Sequence, residues 1–198
     1  LVNSLLNLKG KVIPLTEDNV TLVGKMTNGK IVVGEHNITA SKDRIKDVYY
    51  AETPTVNENV LNAIRQADAI ILSMGSLFTS IIPNLICKEV IKEIDRSNAK
   101  IIYVCNIMTQ PGETDDFLVS DHVKLINKYL GKRKIDAVVL NTGRIEENII
   151  KNYETLEQKD LVDVDRDNIN EMKIDTVEND YISIENGMIR HNTLRVAR

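Results

Sequence analysis

The sequence predicts an α/β fold, Rossmann-like, with a mostly parallel sheet, helices on both faces and a β-rich hairpin region near the N-terminus. Three observations carry this. From Asn57 onward, short apolar runs alternate with amphipathic stretches of helix length. The apolar runs at 69–72, 101–104 and 137–140 are continuous, the mark of parallel strands covered on both faces. Before Asn57 the pattern alternates instead, and Thr27-Asn28-Gly29 lies between two such stretches as a hairpin turn.

The elements follow in order. Leu1, Val2, Leu5, Leu6 and Leu8 have helical spacing up to a stop at Gly10, so 1–8 is expected to be the tail of a longer helix whose start was cut away. Arg198 closes a polar stretch without an obvious cap, and trimming is expected there too. Residues 11–15 are expected to form a short strand, 20–26 and 30–35 the hairpin, and 45–51 another strand that ends at Thr53-Pro54. Together 11–53 form a β-rich subregion. The alternating β/α core covers 57–165. It begins with a helix at 57–66 carrying Val60, Leu61 and Ile64, followed by a strand at 69–72 and a small-residue loop at 73–79. An apolar segment interrupted by Pro83 leads to a helix at 87–96, a strand at 100–105 and a loop at 106–117. A helix at 120–130 is capped by Ser120 and Asp121 and stopped by Gly131. A strand at 137–140, a helix at 146–153 and a weaker fourth strand at 161–164 complete the core. In the C-terminal region, 166–198, Asn186-Gly187 is expected to close a hairpin between 181–184 and 188–190. The whole of 1–198 is expected to be a single fragment of a larger α/β domain.

Composition excludes several classes. The chain has 198 residues, 42% of them hydrophobic, and 25 basic against 29 acidic side chains for a net charge of −4. A chain of this size buries about 70% of its unfolded surface, so its core needs no disulfide or metal. The acidic balance argues against nucleic acid, which draws basic patches. No apolar run approaches the roughly 18 residues of a membrane span, and no basic-apolar leader opens the chain. Cys87 and Cys105 follow no paired metal spacing and read as reduced, cytosolic thiols.

In open parallel sheets, ligands sit beyond the carboxyl ends of the strands. That directs attention to two loops. The first runs Ser73-Met74-Gly75-Ser76-Leu77-Phe78-Thr79-Ser80. Free backbone N–H groups at a helix start favour an anion such as phosphate. Gly75 permits close approach, and Ser76, Thr79 and Ser80 each offer a hydroxyl. The competing reading is a turn whose hydroxyls only cap the helix. The loop is neither a Walker A loop nor a dinucleotide fingerprint.

The second loop runs from Asn106 through Thr109, Gln110, Pro111-Gly112, Glu113, Thr114, Asp115 and Asp116. Asn106 falls at a strand end, where an amide can read a base, a ribose or a sugar hydroxyl. Glu113, Asp115 and Asp116 gather charge that could hold Mg²⁺ through water, or could simply cap turns. His122 reads as a first-turn surface or packing residue.

These segments carry a resemblance. Residues 75–85 and 106–115, followed by Ser120-Asp121-His122, resemble the hallmark segments of the bacterial gluconeogenesis factor family, relatives of 2-phospho-L-lactate transferase. Arg190-His191-Asn192-Thr193 is similar to that family's C-terminal signature. The resemblance implies a cytoplasmic protein with a Rossmann-like core, a uridine-diphosphate sugar as ligand, and a role in cell shape and cell-wall supply during growth on gluconeogenic carbon. It implies a regulatory binding protein with no established catalytic reaction, and no catalytic residue is assigned. On that reading Gly75, Ser76, Thr79 and Ser80 contact phosphate. Asn106, Thr109 and Gln110 contact ribose, base or sugar, and Arg190 clamps the diphosphate. A homo-oligomer and an envelope-synthesis partner protein complete the expectation. Two alternatives stay open: a phospholactyl-type transferase that uses Mg²⁺ placed by Glu113 or Asp115, and an acidic scaffold that binds a partner protein. Thr193, between Arg190 and Arg195, is a regulatory candidate, because a phosphate there would add close to two negative charges beside a diphosphate site.

The chain departs from the family pattern in three places. Ser73-Met74-Gly75-Ser76 stands where Gly-Pro-Gly-Ser is usual. Asp116 stands where glycine is typical. A glycine-rich opening and an Asp-Asp-Gly-Gly segment have no counterpart in this sequence.

Overall fold

The computed structural model describes residues 10–152, 155, 158–185 and 188–198. The expected helix at 1–8 and the Asn186-Gly187 turn lie outside the described residues.

The Asn-Gly signal gives the hairpin its turn. Strand β1 (Leu22–Met26) pairs antiparallel with β2 (Ile31–Val33). Gly29 sits at φ +86°, a conformation open to glycine at no steric cost, and Asn28 Oδ1 accepts the Lys30 N–H at 3.0 Å. On the other edge of β1 lies β3 (Ile45–Tyr50), also antiparallel, giving the order β2-β1-β3. A short helix, α1 (Glu35–Ala40), leaves β2 through Gly34 and buries Ile38 against β1. The sequence reading missed this helix. Residues 11–15, expected as a strand, belong to no strand among the described residues. They run as an irregular lead-in, with the Leu15 carbonyl accepting Asn57 N–H at 2.8 Å.

Helix α2 (Glu58–Gln66) is capped by Asn57, whose side chain accepts the Asn59 N–H at 2.9 Å. After β4 (Ala69–Leu72) comes a wide π-type turn, Leu77–Ile81, continued by α3 (Ile82–Leu85) with Pro83 in its first turn and by α4 (Lys88–Arg96). Strand β5 (Lys100–Val104), α5 (Val119–Tyr129), β6 (Ala137–Asn141), α6 (Glu147–Asn152), α7 (Arg166–Glu171) and β7 (Asp175–Asn179) follow. The chain closes with the antiparallel pair β8 (Ile182–Glu185) and β9 (Met188–His191), then α8 (Thr193–Val196).

Strands β4-β5-β6-β7 form a parallel sheet in that order. Its fourth strand is β7, not the expected 161–164. That apolar segment instead lies antiparallel beside the loop after β5. It makes one bridge, Met108 to Leu161, and Val162 N–H donates to the Ile107 carbonyl at 2.9 Å. Strand β7 reads Asp-Thr-Val-Glu-Asn, an edge sequence with no apolar run to announce it. Helix α5 starts one residue before its expected cap. Leu118 is the cap residue, its N–H donates to Asp121 Oδ2 at 3.2 Å, and Ser120 is buried inside the first turn. Gly131, at φ +66°, ends that helix as the sequence reading expected.

One face of the parallel sheet is sealed. Ile101, Tyr103, Val138 and Leu140 are all within 1% of full burial, in a cluster that continues through Leu77, Ile82, Val123 and Ile126 to Met26 and Val48 of the antiparallel sheet. Full burial of each such side chain stabilises by about 1.5–3 kcal/mol. The π-type turn, α3 and α5 therefore belong to the layer between the two sheets. The expectation that β4 is covered on both faces needs correction: Ile71 is 60% exposed, and among the described residues β4 has a strand neighbour on one side only.

Candidate ligand site at the carboxyl rim

Three pieces of chain converge at the carboxyl ends of β4 and β5. Met74 and Gly75 leave β4, Asn106 and Met108 leave β5, and Arg190, His191 and Thr193 arrive on β9 and α8. They enclose an open hollow of about 370 Å³. Two polar contacts join these pieces. Asn106 Nδ2 donates to the Gly75 carbonyl at 3.0 Å, tying the two strand ends. His191 Nε2 lies 3.0 Å from the Cys105 carbonyl, seating β9 on the end of β5. A carbonyl only accepts, so Nε2 carries the proton in that bond. Burial holds the His191 pKa below its usual value, and the Cys105 carbonyl opposes that only in part. A neutral ring with Nε2 protonated keeps Nδ1 as an acceptor. Farther along, Arg195 Nη1 donates to Asp180 Oδ2 at 2.5 Å and anchors α8 to the segment after β7.

Behind the hollow stands Glu113, only 2% exposed. Its Oε1 accepts Ser76 Oγ–H at 2.5 Å and Gln110 Nε2–H at 2.8 Å, with Thr79 Oγ1 at 3.4 Å. Its Oε2 accepts the Phe78 backbone N–H at 2.9 Å. Burial pushes the Glu113 carboxyl above the ordinary carboxylate value, against the pull of these donors. The turn that presents it requires Gly112, which sits at φ +80° with its α-carbon pressed to the Lys42 backbone; an added Cβ would lie 2.9 Å from the Lys42 carbonyl carbon.

The structure thus sorts the expected ligand residues. Gly75, Asn106 and Arg190 share the hollow, and Thr193 lines it with them. Ser76 and Gln110 are turned to Glu113 instead, and Thr79 Oγ1–H donates to Ser76 Oγ at 2.6 Å within the same cluster. Thr109 is buried, and its Oγ1 accepts the Asp160 N–H at 2.9 Å. Ser80 is exposed and opens on a neighbouring apolar groove lined by Ile70, Ile71 and Ile81. The physical reason is the same for the first three. A buried carboxylate must collect donors, and the nearest free N–H and hydroxyls of the first loop are the ones a phosphate was expected to take.

Glu113 and Asp115 do not fit a shared Mg²⁺. Both Glu113 oxygens already receive N–H or O–H donors, and Asp115 Oδ2 accepts the Gly112 N–H at 2.8 Å. Among the described residues no group of three or more His, Cys, Asp or Glu could hold a metal ion. His122 is wholly buried, packed edge-on to Phe117 and stacked near Tyr103, with Nδ1 3.0 Å from the Leu118 carbonyl. It is a packing residue. Cys87 and Cys105 are buried free thiols, pushed by burial to about 11 and about 12. The sequence reading missed Met74 and Met108 as walls of the hollow, since lone methionines carry no spacing signal.

Residues 1–182 match the family model for 2-phospho-L-lactate transferase CofD. The chain belongs to that family. Curated relatives named gluconeogenesis factor cover nearly the whole chain. The gluconeogenesis factor of Bacillus subtilis is 36% identical over 197 residues, covering 99% of this chain and 62% of that protein. A relative from Clostridium acetobutylicum is 39% identical over 202 residues, all of this chain but 45% of that one. A crystal structure of a UPF0052 family member from Bacillus halodurans superposes with a TM-score of 0.92 at 32% identity, over 99% of this chain and 63% of that one. The chain therefore spans less than two thirds of the length of these relatives. Among the described residues no helix is long and apolar enough to cross a membrane.

Proposed function

We propose that this chain forms part of a nucleotide-sugar-binding regulatory factor, with a uridine-diphosphate sugar seated in the hollow between β4, β5 and β9. The observation that carries the reading is the convergence of Gly75, Asn106 and Arg190, drawn from three distant stretches, on one hollow at the carboxyl rim of a parallel sheet. Arg190 is exposed and has no ion-pair partner among the described residues, which leaves its planar fork open for a diphosphate. The neutral His191 and the thioether and aliphatic walls suit the uncharged end of the ligand. Occupancy then biases a conformation or a partner contact that reports metabolic supply to envelope synthesis in the cytoplasm. The names of the relatives support the gluconeogenic setting. Isothermal titration of the complete protein with UDP-glucose and UDP-N-acetylglucosamine tests this. Saturable binding that Arg190→Ala weakens is expected, and no heat with either sugar would remove the reading.

The family name favours a second reading, a transferase acting on a nucleotide-activated donor. The carboxylates at 113 and 115 do not supply its metal, so any such site would draw on other residues. Product detected by mass spectrometry after incubation with a nucleotide-linked phospholactate and an acceptor deazaflavin would favour it.

A further inference from the structure

We infer that Glu113 is the positioning residue of the hollow: its buried carboxylate clasps the loop after β4 to the loop after β5 and so holds Gly75 and Asn106 in place for a nucleoside-diphosphate sugar. The inference rests on the nucleotide-sugar reading of the site.

The clasp is two-sided. From the first loop it gathers Ser76 Oγ–H at 2.5 Å and Phe78 N–H at 2.9 Å. From its own loop it gathers Gln110 Nε2–H at 2.8 Å. Ser76 follows Gly75 directly, and the Gly75 carbonyl receives Asn106 Nδ2 at 3.0 Å. The loops are therefore joined twice, at the wall of the hollow by Asn106 and behind it by Glu113. Glu113 itself sits on a braced turn. Its N–H donates to the Gln110 carbonyl at 3.0 Å, and the Gly112 carbonyl accepts Ile45 N–H from β3 at 2.9 Å. A carboxylate anchored on a rigid turn can hold a loop at one distance; a hydroxyl or an apolar side chain could not collect donors from both sides. It does so at a cost, since burial of its charge disfavours the folded state. An apolar contact would join the loops more cheaply, but without fixing where the Ser76–Phe78 backbone lies. Tight placement of ligand-facing groups by a supporting layer is what binding sites need.

The test compares Glu113→Gln with the parent in the complete protein. Glutamine keeps the shape but turns an amide N–H₂ toward Phe78 N–H or Gln110, leaving a buried donor unpaired. Glu93→Gln serves as a reference. It breaks the Arg65 and Arg96 pairs outside the hollow and lowers stability without touching either loop. Affinities for UDP-glucose and UDP-N-acetylglucosamine are measured where all three proteins are fully folded. The amide proton of Phe78 and the side-chain amide of Asn106 are followed by NMR. Glu113→Gln is expected to weaken both sugars about tenfold or more and to shift both amide signals, whereas Glu93→Gln leaves affinity and signals unchanged. Affinity of Glu113→Gln within about twofold of the parent overturns the inference. If the parent binds neither sugar, the nucleotide-sugar reading fails by itself. The clasp is then judged on the NMR signals, and a moved Phe78 signal with an unmoved Asn106 signal overturns it.

Discussion

The backbone N–H of Phe78 donates to Oε2 of Glu113 at 2.9 Å, across 35 positions of sequence. That bond puts the Glu113 carboxyl against an N–H that the sequence reading offered to an incoming phosphate. Glu113 thus engages Ser76 Oγ and the Phe78 N–H of the first loop, and on the proposed nucleotide-sugar reading the cation for a diphosphate is Arg190, across the hollow.

Glu113 and Glu93 should respond to acid with opposite signs. Burial raises the Glu113 carboxyl, so the folded state holds that proton more tightly than the unfolded chain. Its contribution to stability grows as pH falls toward the unfolded value and is lost as pH rises through the raised one. Glu93 is held low, first by its hydrogen bond from Arg65, so its contribution is present above the unfolded value and fades as pH falls through the lowered one. In urea titrations, the parent's advantage over Glu113→Gln should grow as pH falls toward about 4.5. Its advantage over Glu93→Gln should shrink below about pH 4.5.

Arg190→Ala should separate binding from folding. The side chain is exposed, so its loss should alter stability by less than about 0.5 kcal/mol. Removing a guanidinium from a diphosphate should weaken nucleotide-sugar binding about 10–100-fold. Calorimetric titration beside a thermal melt reads both quantities, and Arg190→Lys should recover only part of the affinity.

Gly112 and Asp116 share a left-handed backbone but should answer substitution differently. At Gly112 a Cβ would meet the Lys42 backbone at 2.9 Å, so Gly112→Ala should cost about 2–4 kcal/mol in chemical denaturation. Asp116, at φ +62°, stands on the surface with a largely exposed pair to Arg44. Asp116→Gly should be neutral or stabilising by up to about 1 kcal/mol, because relief of backbone strain outweighs an exposed ion pair.

Thr193 opens α8 at the mouth of the hollow, next to the Asn192 cap. A phosphate there would place close to two negative charges beside the proposed diphosphate position. Phosphothreonine at 193, or Thr193→Glu, should weaken nucleotide-sugar affinity about tenfold, while Thr193→Ala leaves it unchanged. Equal affinities in all three forms would argue that the residue has no regulatory part.

Much of this architecture was legible because its causes are local. Asn28-Gly29 makes a turn, Asn57 caps a helix, and Gly131 ends one, each through its own backbone and nearest neighbours. The runs at 69–72 and 101–104 announce strands because apolar continuity is a local signal. Strand β7 was hidden because its pairing, not its polar sequence, makes it a strand. The apolar run at 161–164 misled for the converse reason, since its apolar side chains pack beside the loop after β5 without entering the sheet. The site divides the same way. Arg190 and Asn106 stand out by residue type. The diversion of Ser76, Thr79 and Gln110 depends on a carboxylate whose donors from the first loop lie 34 to 37 residues away, a relation no short motif displays.

The flank of β4 that meets no strand among the described residues has a consequence for how these 198 residues behave in solution. Its backbone amides and carbonyls on that side have no strand to meet among the described residues, and Ile71 stands outward beside them. Such a rim is a template on which any extended segment can dock, whether from the same polypeptide or from a neighbour. Preparations of these 198 residues should therefore self-associate as concentration rises, and a lysine at position 71 should suppress that in light scattering while leaving the melting temperature nearly unmoved.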